Sequence, residues 1–500
     1  MSFPSDIEAA LGKLVGLLWG PPLVTLLVGG GLFFLLYSRG LPYRHFGQSV
    51  RLLFTRADSR DPGQLSHFQA LSTALSGTLG MGNISGVALA IAMGGPGAIF
   101  WMWVSALLGV ATKFYTCTLA VMYRGQDSEG EWQGGPMYVI REGLGRRWRP
   151  LAYFFAVAGL LGTMPIFQVN QLVQVLRDTL AIPAGLTTAD QHLSFDFTVG
   201  VAIAALMLMV STGRLPRLGK VTSWLVPSMV GGYLLLTAYV LLNHLTAIPG
   251  ALALIVSDAF SGSAVAGGAL GTVIITGIRR AAFSNEAGIG TEAMAHGAAR
   301  TREPVREGLV AMLGPVIDTL IVCTCTALVI LISGVWQEGN HDGVTLTATA
   351  FGQLFPTGGA GILAVLVSLL SLSTVFTFWY YGSKCLGFLI GARYQHLYIW
   401  FYLLFPSVAW YTALSLRETP IFFFMVLAIV FARESKIFKS ALCTVPVYLI
   451  KFQNFYILGP IVLMYFVFNV AKKGMGLAKA SIIGAITFAA LLLSAPLAIP

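Results

Sequence analysis

Apolar stretches of about 20 residues, each followed by a short polar segment, repeat along almost the whole chain. A stretch of that length is what an α-helix needs to cross the hydrocarbon core of a bilayer. The pattern therefore predicts membrane-spanning helices near residues 14–37, 70–94, 97–123, 151–176, 196–212, 222–242, 263–283, 308–333, 360–390 and 398–416. Apolar stretches continue beyond residue 419, where two or three further helices are predicted without an orientation.

The positive residues between these spans predict the orientation of the chain. Arginines crowd the segment after the first span, at Arg39, Arg44, Arg51, Arg56 and Arg60. Because short loops rich in Arg and Lys stay in the cytoplasm, this segment is expected inside and the N-terminus outside. Positive charge then recurs at every second segment, whereas residues 178–196, 243–262 and 334–359 contain acidic residues and no Lys or Arg.

The span 70–94 contains Gly77, Gly80 and Gly82, a cluster that favours departure from regular helix. Backbone N–H and C=O groups freed in hydrocarbon cost several kcal/mol each, unless protein, water or a ligand satisfies them. The cluster therefore predicts a broken helix, in which backbone groups and the hydroxyls of Ser76 and Thr78 bind a small polar ligand or an ion. Close helix packing through small residues is the alternative that the spacing leaves open.

A second stretch of this kind, residues 276–290, begins the second half of the core, five spans after the first. Two interrupted helices at corresponding positions of two halves indicate a transporter site at a repeat interface. Arg279 and Arg280 are better explained as residues of a cytoplasmic loop, which is the alternative to a break. Phe283, Ser284 and Asn285 stay open as candidates for the site.

Several polar residues lie deep inside apolar spans. Gln168 and Asn170 either bind substrate or make hydrogen bonds across helices, since amides in a bilayer need partners. Lys113 and Asp318 are the clearest ionisable residues, and pairing explains them at least as well as proton transfer does.

The span 360–390 carries hydroxyls at Ser371, Ser373, Thr374 and Thr377. Residues three apart share a helix face, and hard oxygen donors suit a cation such as Na⁺. The alternative is that these hydroxyls donate hydrogen bonds to carbonyls of their own helix.

Composition narrows the class further. The 500 residues are 56% hydrophobic and 10% charged, with a mean hydropathy of +0.77, so the chain is a polytopic membrane protein without a sizeable soluble domain. The net charge of +10 does not indicate nucleic acid, because Arg and Lys lie in short loops. The five cysteines lack zinc-ligand spacing, and His67, His244 and His296 lie apart from Cys and carboxylate clusters. An intramembrane enzyme is therefore not favoured. Nor does the sequence favour a passive channel, which would conduct without stoichiometric coupling.

Three stretches carry a resemblance to the alanine or glycine:cation symporter family. They are Gly77-Thr-Leu-Gly-Met-Gly-Asn-Ile-Ser-Gly-Val-Ala88 with Gly94-Gly-Pro-Gly-Ala-Ile-Phe-Trp-Met-Trp103, then Gly134-Gly-Pro-Met-Tyr138, and Phe283-Ser-Asn-Glu-Ala-Gly-Ile-Gly290 with Glu307-Gly-Leu-Val-Ala-Met-Leu-Gly314 and Ile317-Asp-Thr319. The resemblance covers roughly residues 65–390. It implies an all-α, LeuT-like 5+5 inverted repeat with one preceding helix and discontinuous first and sixth core helices.

The resemblance also implies an activity and roles for residues. The expected activity is Na⁺-coupled import of alanine, glycine or a similar small amino acid across the bacterial inner (plasma) membrane. The residues implied for the substrate are Gly77, Thr78, Gly80, Gln168, Asn170, Phe283 and Phe378. Those implied for sodium are Ser76, Leu79, Thr374 and Thr377, the first two through backbone carbonyls. A proton-coupled or other-solute symporter of the same superfamily is the alternative, and the absence of lysine from residues 222–242 favours Na⁺.

The chain departs from the family pattern in two places. Phe378-Trp-Tyr-Tyr-Gly382 stands where the family often has Trp-Ser-Tyr-Tyr-Gly, so the pocket wall differs. After Pro420 the expected stretch with Asp or Asn and a Pro-Asn pair is missing. The expected organisation is therefore residues 1–62 as an N-terminal helix and basic loop, 63–420 as the transporter core, and 421–500 as atypical hydrophobic helices.

Overall fold

The computed structural model describes residues 12–13, 15–55, 60–188, 191–211, 214–260, 269–339, 343–355 and 358–399. The last predicted core span, 398–416, and the tail from 421 therefore lie outside the described residues, apart from Tyr398 and Ile399.

The described part is helical apart from one hairpin. The α-helices are α1 (Pro21–Tyr37), α2 (Leu41–Arg44), α3 (Phe46–Leu52), α4 (His67–Thr78), α5 (Met81–Gly94), α6 (Gly97–Met122), α7 (Pro136–Val139), α8 (Arg149–Gly162), α9 (Ile166–Leu176), α10 (Leu193–Ser211), α11 (Arg214–Asn243), α12 (Ile248–Ala259), α13 (Ala269–Asn285), α14 (Glu292–His296), α15 (Pro304–Ala311), α16 (Leu313–Pro315), α17 (Thr324–Ser333), α18 (Gly343–Leu354) and α19 (Gly359–Ile390). The antiparallel hairpin pairs β1 (Gly125–Gln126) with β2 (Trp132–Gln133). π-Helical turns cover Ile140–Leu144, Arg177–Ala181 and Val316–Cys323, and 3₁₀ turns cover Arg146–Trp148, Leu245–Ala247, Val335–Gln337 and Ala392–Leu397.

Eight helical segments in the described part are long and apolar enough to cross a membrane. They confirm the predicted spans within a few residues at most ends. Of the predicted span 263–283, residues 263–268 lie outside the described residues, and α13 covers the remainder. The apolar window of the first segment is 11% buried, against 89% for the segment His67–Gly94. The first helix is therefore peripheral, and the helix with the glycine cluster lies at the centre.

Both predicted breaks are confirmed. The first lies at Leu79 and Gly80, between α4 and α5, where Leu79 leaves helical geometry with ψ of 88°. The second lies between α13 and α14, where Glu286 has a φ of 56°. Gly288 and Gly290 follow with φ near 90°, a region that favours glycine because it has no Cβ.

The interpretation of Arg279 and Arg280 as cytoplasmic loop residues is wrong. Helix α13 continues through both arginines to Asn285. The Arg279 Nε–H donates to the carbonyl of Trp19, and Arg280 donates to the Met93 sulfur at 3.5 Å. These contacts compensate for placing two positive residues within the helix, and the break itself lies one turn further on.

The span predicted at 151–176 is also broken, which its apolar pattern does not reveal. Helix α8 ends at Gly162, and α9 begins at Ile166 after Pro165. Proline has no N–H to donate and disfavours helix in the residue before it, so the helix restarts there.

Helix packing brings the two breaks together. Helix α6 packs against α1, α13 and α15, while α19 packs against α4, α8, α9 and α11. Helix α5 contacts both α13 and α18. The broken helices α4–α5 and α13–α14 are thus enclosed by α6 on one flank and α19 on another.

Candidate functional site

The two helix breaks touch each other directly. A Cβ added at Gly82, in the first turn of α5, would lie 3.2 Å from the Ser284 Cα at the end of α13. The Asn83 side chain bridges the two helices, because its Nδ2 donates to the Ser284 hydroxyl at 3.1 Å. The Asn83 Oδ1 accepts from the Gly80 N–H at 3.0 Å, which caps the start of α5. The Asn83 side chain therefore satisfies the Gly80 N–H at the first break and is hydrogen-bonded to Ser284 beside the second.

Asp318 is the buried anion of this arrangement. Its Oδ1 accepts from Asn83 Nδ2 at 2.7 Å, and its Oδ2 accepts from the hydroxyls of Ser284 and Thr319 at 2.8 and 2.7 Å. The carboxylate is fully buried and lies in the π-helical turn Val316–Cys323. π-Helical turns inside helices occur frequently at functional sites. The sequence marks Asp318 as ionisable, but two of its partners, Asn83 and Ser284, lie far from it in the chain.

The predicted sodium residues meet where α4 packs against α19. The Thr377 hydroxyl donates to the Ser76 hydroxyl at 3.0 Å, and the Ser76 hydroxyl donates to the Ser373 carbonyl at 2.7 Å. The Thr374 side chain lies against Gly80, one residue beyond Leu79. All of these residues are buried. The structure therefore brings together hydroxyls and backbone oxygens from two helices at the first break.

Two hydroxyls of this region also donate to a carbonyl of their own helix, which is the alternative that the sequence left open. Thr374 donates to the Leu370 carbonyl of its own helix at 3.2 Å, and Ser373 donates to the same carbonyl at 2.8 Å. Among the described residues, the acceptors of the Thr377 hydroxyl lie on α4: the Ser76 hydroxyl at 3.0 Å and the Thr73 carbonyl at 3.4 Å.

The residues predicted for the substrate are distributed around the same break. Gly77 allows close approach, since a Cβ there would lie 3.2 Å from Thr377 Cγ2 and 3.3 Å from Tyr381 Cε2. Thr78 is buried, and its hydroxyl donates to the Leu75 carbonyl at 3.3 Å. Gly80 begins the second half of the helix.

The aromatic and amide candidates lie on three other helices. Phe283 packs edge-on against Phe167 with ring centroids 5.5 Å apart, and Phe378 lies 6.5 Å from the Tyr381 ring. Gln168 is buried, and its carbonyl accepts from the Ser371 hydroxyl at 2.8 Å. Asn170 is partly buried, and its Oδ1 accepts from Gln171 Nε2 at 3.2 Å.

Gln171, rather than Gln168 or Asn170, joins α9 to the broken helix. Its Oε1 accepts from the Ser85 hydroxyl of α5 at 2.7 Å and from the Val344 N–H of α18 at 3.3 Å. Its Nε2 also donates to Gln174 at 3.0 Å. The sequence does not reveal this role, because three neighbouring amides on one helix are equivalent until their partners are placed.

Lys113 lies among buried acids that come from the second break. Its ammonium interacts electrostatically with Glu286, Glu292 and Asp318. Its Nζ lies 3.1 Å from the position of a Cβ added at Gly314, so the glycine leaves room for the lysine. Lys113 therefore has three acidic neighbours in the structure.

A second contact between the halves lies at the ends of α4 and α14. Leu65 and Ala299 form a parallel β-bridge, and the Arg300 N–H donates to the Leu65 carbonyl at 2.6 Å. The Arg124 guanidinium donates to the carbonyls of Pro62, Gly297, Ala299 and Thr301. Burial lowers the pKa of Arg124 to about 10, and the Glu307 carboxylate opposes that shift, so Arg124 stays protonated near neutral pH.

A cavity of about 410 Å³ lies beside the end of α19 and the β-hairpin. Trp379 and Tyr380 form part of its wall, just after Phe378 in the chain, and Asp127 and Arg393 line its far side. None of the predicted site residues lines this cavity. The candidate site at the first break therefore lies apart from this cavity.

Comparison with known proteins matches nearly the whole chain to one family. The family model described as "Sodium:alanine symporter family" matches residues 5–431. An "Uncharacterized transporter" of Haemophilus influenzae is 39% identical over 421 residues, which cover 82% of this chain and 89% of that protein.

Two further relatives carry functional names. "Sodium/alanine symporter AgcS" of Methanococcus maripaludis is 37% identical over 79% of this chain and 86% of its own length. "Putative sodium/proton-dependent alanine carrier protein YrbD" of Bacillus subtilis is 33% identical over 78% of this chain and 80% of its own length.

Proposed function

Because the chain belongs to the sodium:alanine symporter family, we propose that it imports alanine, glycine or a similar small neutral amino acid together with Na⁺. It is a multi-pass membrane transporter and not an enzyme. The membrane potential contributes about 2.3 kcal/mol per charge per 100 mV, so one co-transported Na⁺ supports substantial accumulation.

The meeting of α4 with α19 at the first break is the observation that carries this proposal. Ser76 and Thr377 place two hydroxyls 3.0 Å apart, with the Ser373 carbonyl 2.7 Å from Ser76. Thr374 packs against Gly80 beside them. Buried, uncharged oxygens of this kind suit a small hard cation, which takes the place of the hydrogen bonds among them. Ser76, Leu79, Thr374 and Thr377 are therefore the proposed sodium ligands.

The other side of the break suits a zwitterion. Helix α5 begins at Met81, and the N–H groups of a helix N-terminus attract a carboxylate. Backbone oxygens at the end of α4, around Gly77 and Thr78, attract an ammonium group. Phe283 packs against Phe167 and is proposed, with Phe378, to limit the space to a small side chain. Gln168 and Asn170 complete the proposed pocket.

Proton coupling is the second candidate, because Lys113 lies among Glu286, Glu292 and Asp318 in the part of the core that joins both breaks. The name of the Bacillus subtilis relative YrbD also includes protons. A buried group of acids and a lysine suits proton exchange as well as structural pairing.

The test is uptake of labelled alanine and glycine into proteoliposomes with an inward Na⁺ gradient, a K⁺ gradient or an H⁺ gradient. We expect accumulation with Na⁺ alone, and loss of Na⁺ dependence in Thr374→Ala and Thr377→Ala. Thr198→Ala is the matched control, because that exposed hydroxyl bonds only to the Ser194 carbonyl of its own helix. Accumulation driven by H⁺ without Na⁺ would instead select the second candidate.

A further inference from the structure

Three titratable side chains form a buried cluster away from the proposed site. The Glu307 Oε2 lies 2.5 Å from His67 Nδ1, and its Oε1 lies 2.6 Å from His296 Nδ1. The side chains of His67, His296 and Glu307 are 3%, 1% and 0% exposed. The residues come from the first turn of α4, the end of α14 and the first turn of α15. Two imidazoles thus share one carboxylate that has no access to water.

The cluster lies where the ends of the two broken helices are joined. The β-bridge between Leu65 and Ala299 is two residues before His67 and three residues after His296. The Gln64 and Leu65 N–H groups both donate to the Ala298 carbonyl, at 2.8 and 3.1 Å. We call this region the inner junction, since the positive-inside pattern places it on the cytoplasmic side. The cluster can separate only if the inner junction moves.

Imidazole is the side chain that titrates between about pH 5 and 8, so the cluster is suited to a proton. Each ring donates its Nδ1–H to Glu307, which leaves Nε2 as the position that gains or loses the proton. The His296 Nε2 is buried and has no hydrogen-bond partner among the described residues. Among those residues, no group of three or more His, Cys, Asp or Glu is arranged to hold a metal ion. A proton is therefore the ligand that fits.

Charged and titratable groups lie near the cluster on several of the elements packed around it. Those that interact with Glu307 or His296 are Arg124, Cys117 of α6 and Glu292 of α14. Helix α3, which also packs on α15, contributes Arg51, which is exposed to solvent. Glu292 and Glu307 are acidic neighbours of His296, and Arg124 is a basic neighbour of Glu307.

We propose that His67, Glu307 and His296 form a proton-binding site that fastens the inner junction. A proton taken from water binds at Nε2 of one imidazole, and the Nδ1–H bond to the Glu307 carboxylate then joins two opposite charges. Because a nearby opposite charge favours the charged form of a group, the proton binds more tightly in the joined arrangement than after separation. By linkage, acidification then stabilises the joined arrangement. The link to transport rests on the proposed function, because it requires the two broken helices to rearrange during the cycle.

The transport experiment is alanine counterflow in proteoliposomes with equal Na⁺ on both sides, between about pH 5.5 and 8.5. Equal Na⁺ removes any effect of pH on a driving gradient. We expect the wild-type exchange rate to rise at least about threefold across this pH range. Release of one proton can change the rate by at most about tenfold per pH unit. The double variant His67→Asn/His296→Asn keeps an N–H donor for Glu307 but cannot titrate, so its rate should be independent of pH. His396→Asn, an exposed histidine on the same predicted side, is the control.

A second measurement is independent of transport. The chain has seven histidines, and ¹⁵N-histidine spectra of the wild type in lipid nanodiscs, assigned with single variants, report the protonation of each. We expect one of His67 and His296 to remain protonated at a pH where His396 is neutral. The proposal is overturned if both stay neutral wherever His396 is neutral, or if the double variant keeps the wild-type pH profile. If alanine is not exchanged at all, the proposed substrate fails while the spectra still decide the proton site.

Discussion

Substituting Gly80 tests the contact on which the proposed sodium site depends. An added Cβ would lie well inside the contact distance of the Thr374 hydroxyl, while Thr374 Cβ and Cγ2 would be 3.4 and 3.7 Å away. The hydroxyl can move aside only by giving up its 3.2 Å bond to the Leu370 carbonyl. Overpacking of this kind costs about 1–3 kcal/mol. We therefore expect Gly80→Ala to lower the free energy of unfolding by about that amount. If the strain falls on the Na⁺-bound state, the Na⁺ concentration for half-maximal uptake should rise by roughly 5- to 150-fold.

The assay compares thermal unfolding and the Na⁺ concentration for half-maximal alanine uptake in three variants. Gly86→Ala is the matched control on the same helix, because the nearest atom to its Cβ is the Met81 carbonyl oxygen at 3.7 Å. Helix propensity alone favours alanine at that position. In Gly80→Ala/Thr374→Ala the crowded hydroxyl is absent, so stability should recover while Na⁺ dependence stays weak. The reasoning is refuted if Gly80→Ala behaves like Gly86→Ala in both measurements.

Three further substitutions test other contacts of the core. Asn83→Ala should lower the free energy of unfolding by about 1–3 kcal/mol, because Asp318 loses a buried donor. The control Asn243→Ala, on an exposed helix end, should not, and equal unfolding midpoints of the two variants would contradict this. Arg124→Lys keeps the charge but loses the planar set of donors to four carbonyls, so we expect a lower unfolding midpoint and faster proteolysis near Pro62. An unchanged unfolding midpoint would show that the charge alone suffices. Gln171→Leu should speed amide hydrogen exchange in α18 by about tenfold, since it removes the acceptor of the Val344 N–H, and unchanged exchange would contradict that role.

Local patterns in the sequence were sufficient to predict the membrane spans and both breaks. The apolar period of each span and the glycines around Gly80 and Gly288 act within one helix, so the sequence contains all the information that they need. The break before Pro165 was also available from the chain, because the missing N–H is a local property. It was not predicted, since the apolar residues continue across it.

Contacts between distant segments were not available in this way. Arg279 lies within α13 and contacts the carbonyl of Trp19, about 260 residues away, a partner that no local pattern reveals. The amide that joins α9 to α5 is Gln171 because rotation of α9 turns that side chain, rather than Gln168, toward Ser85.

The sequence by itself determined that this is a helical membrane transporter of the sodium:alanine symporter family, with two interrupted helices. These features follow from apolar length, local backbone preference and motifs that are contiguous in the chain. Only the tertiary structure decided that Asn83 joins Asp318 and that His67 and His296 share Glu307. A buried polar group takes whichever partner the packing of helices places within about 3 Å, and no pattern along one segment specifies that partner.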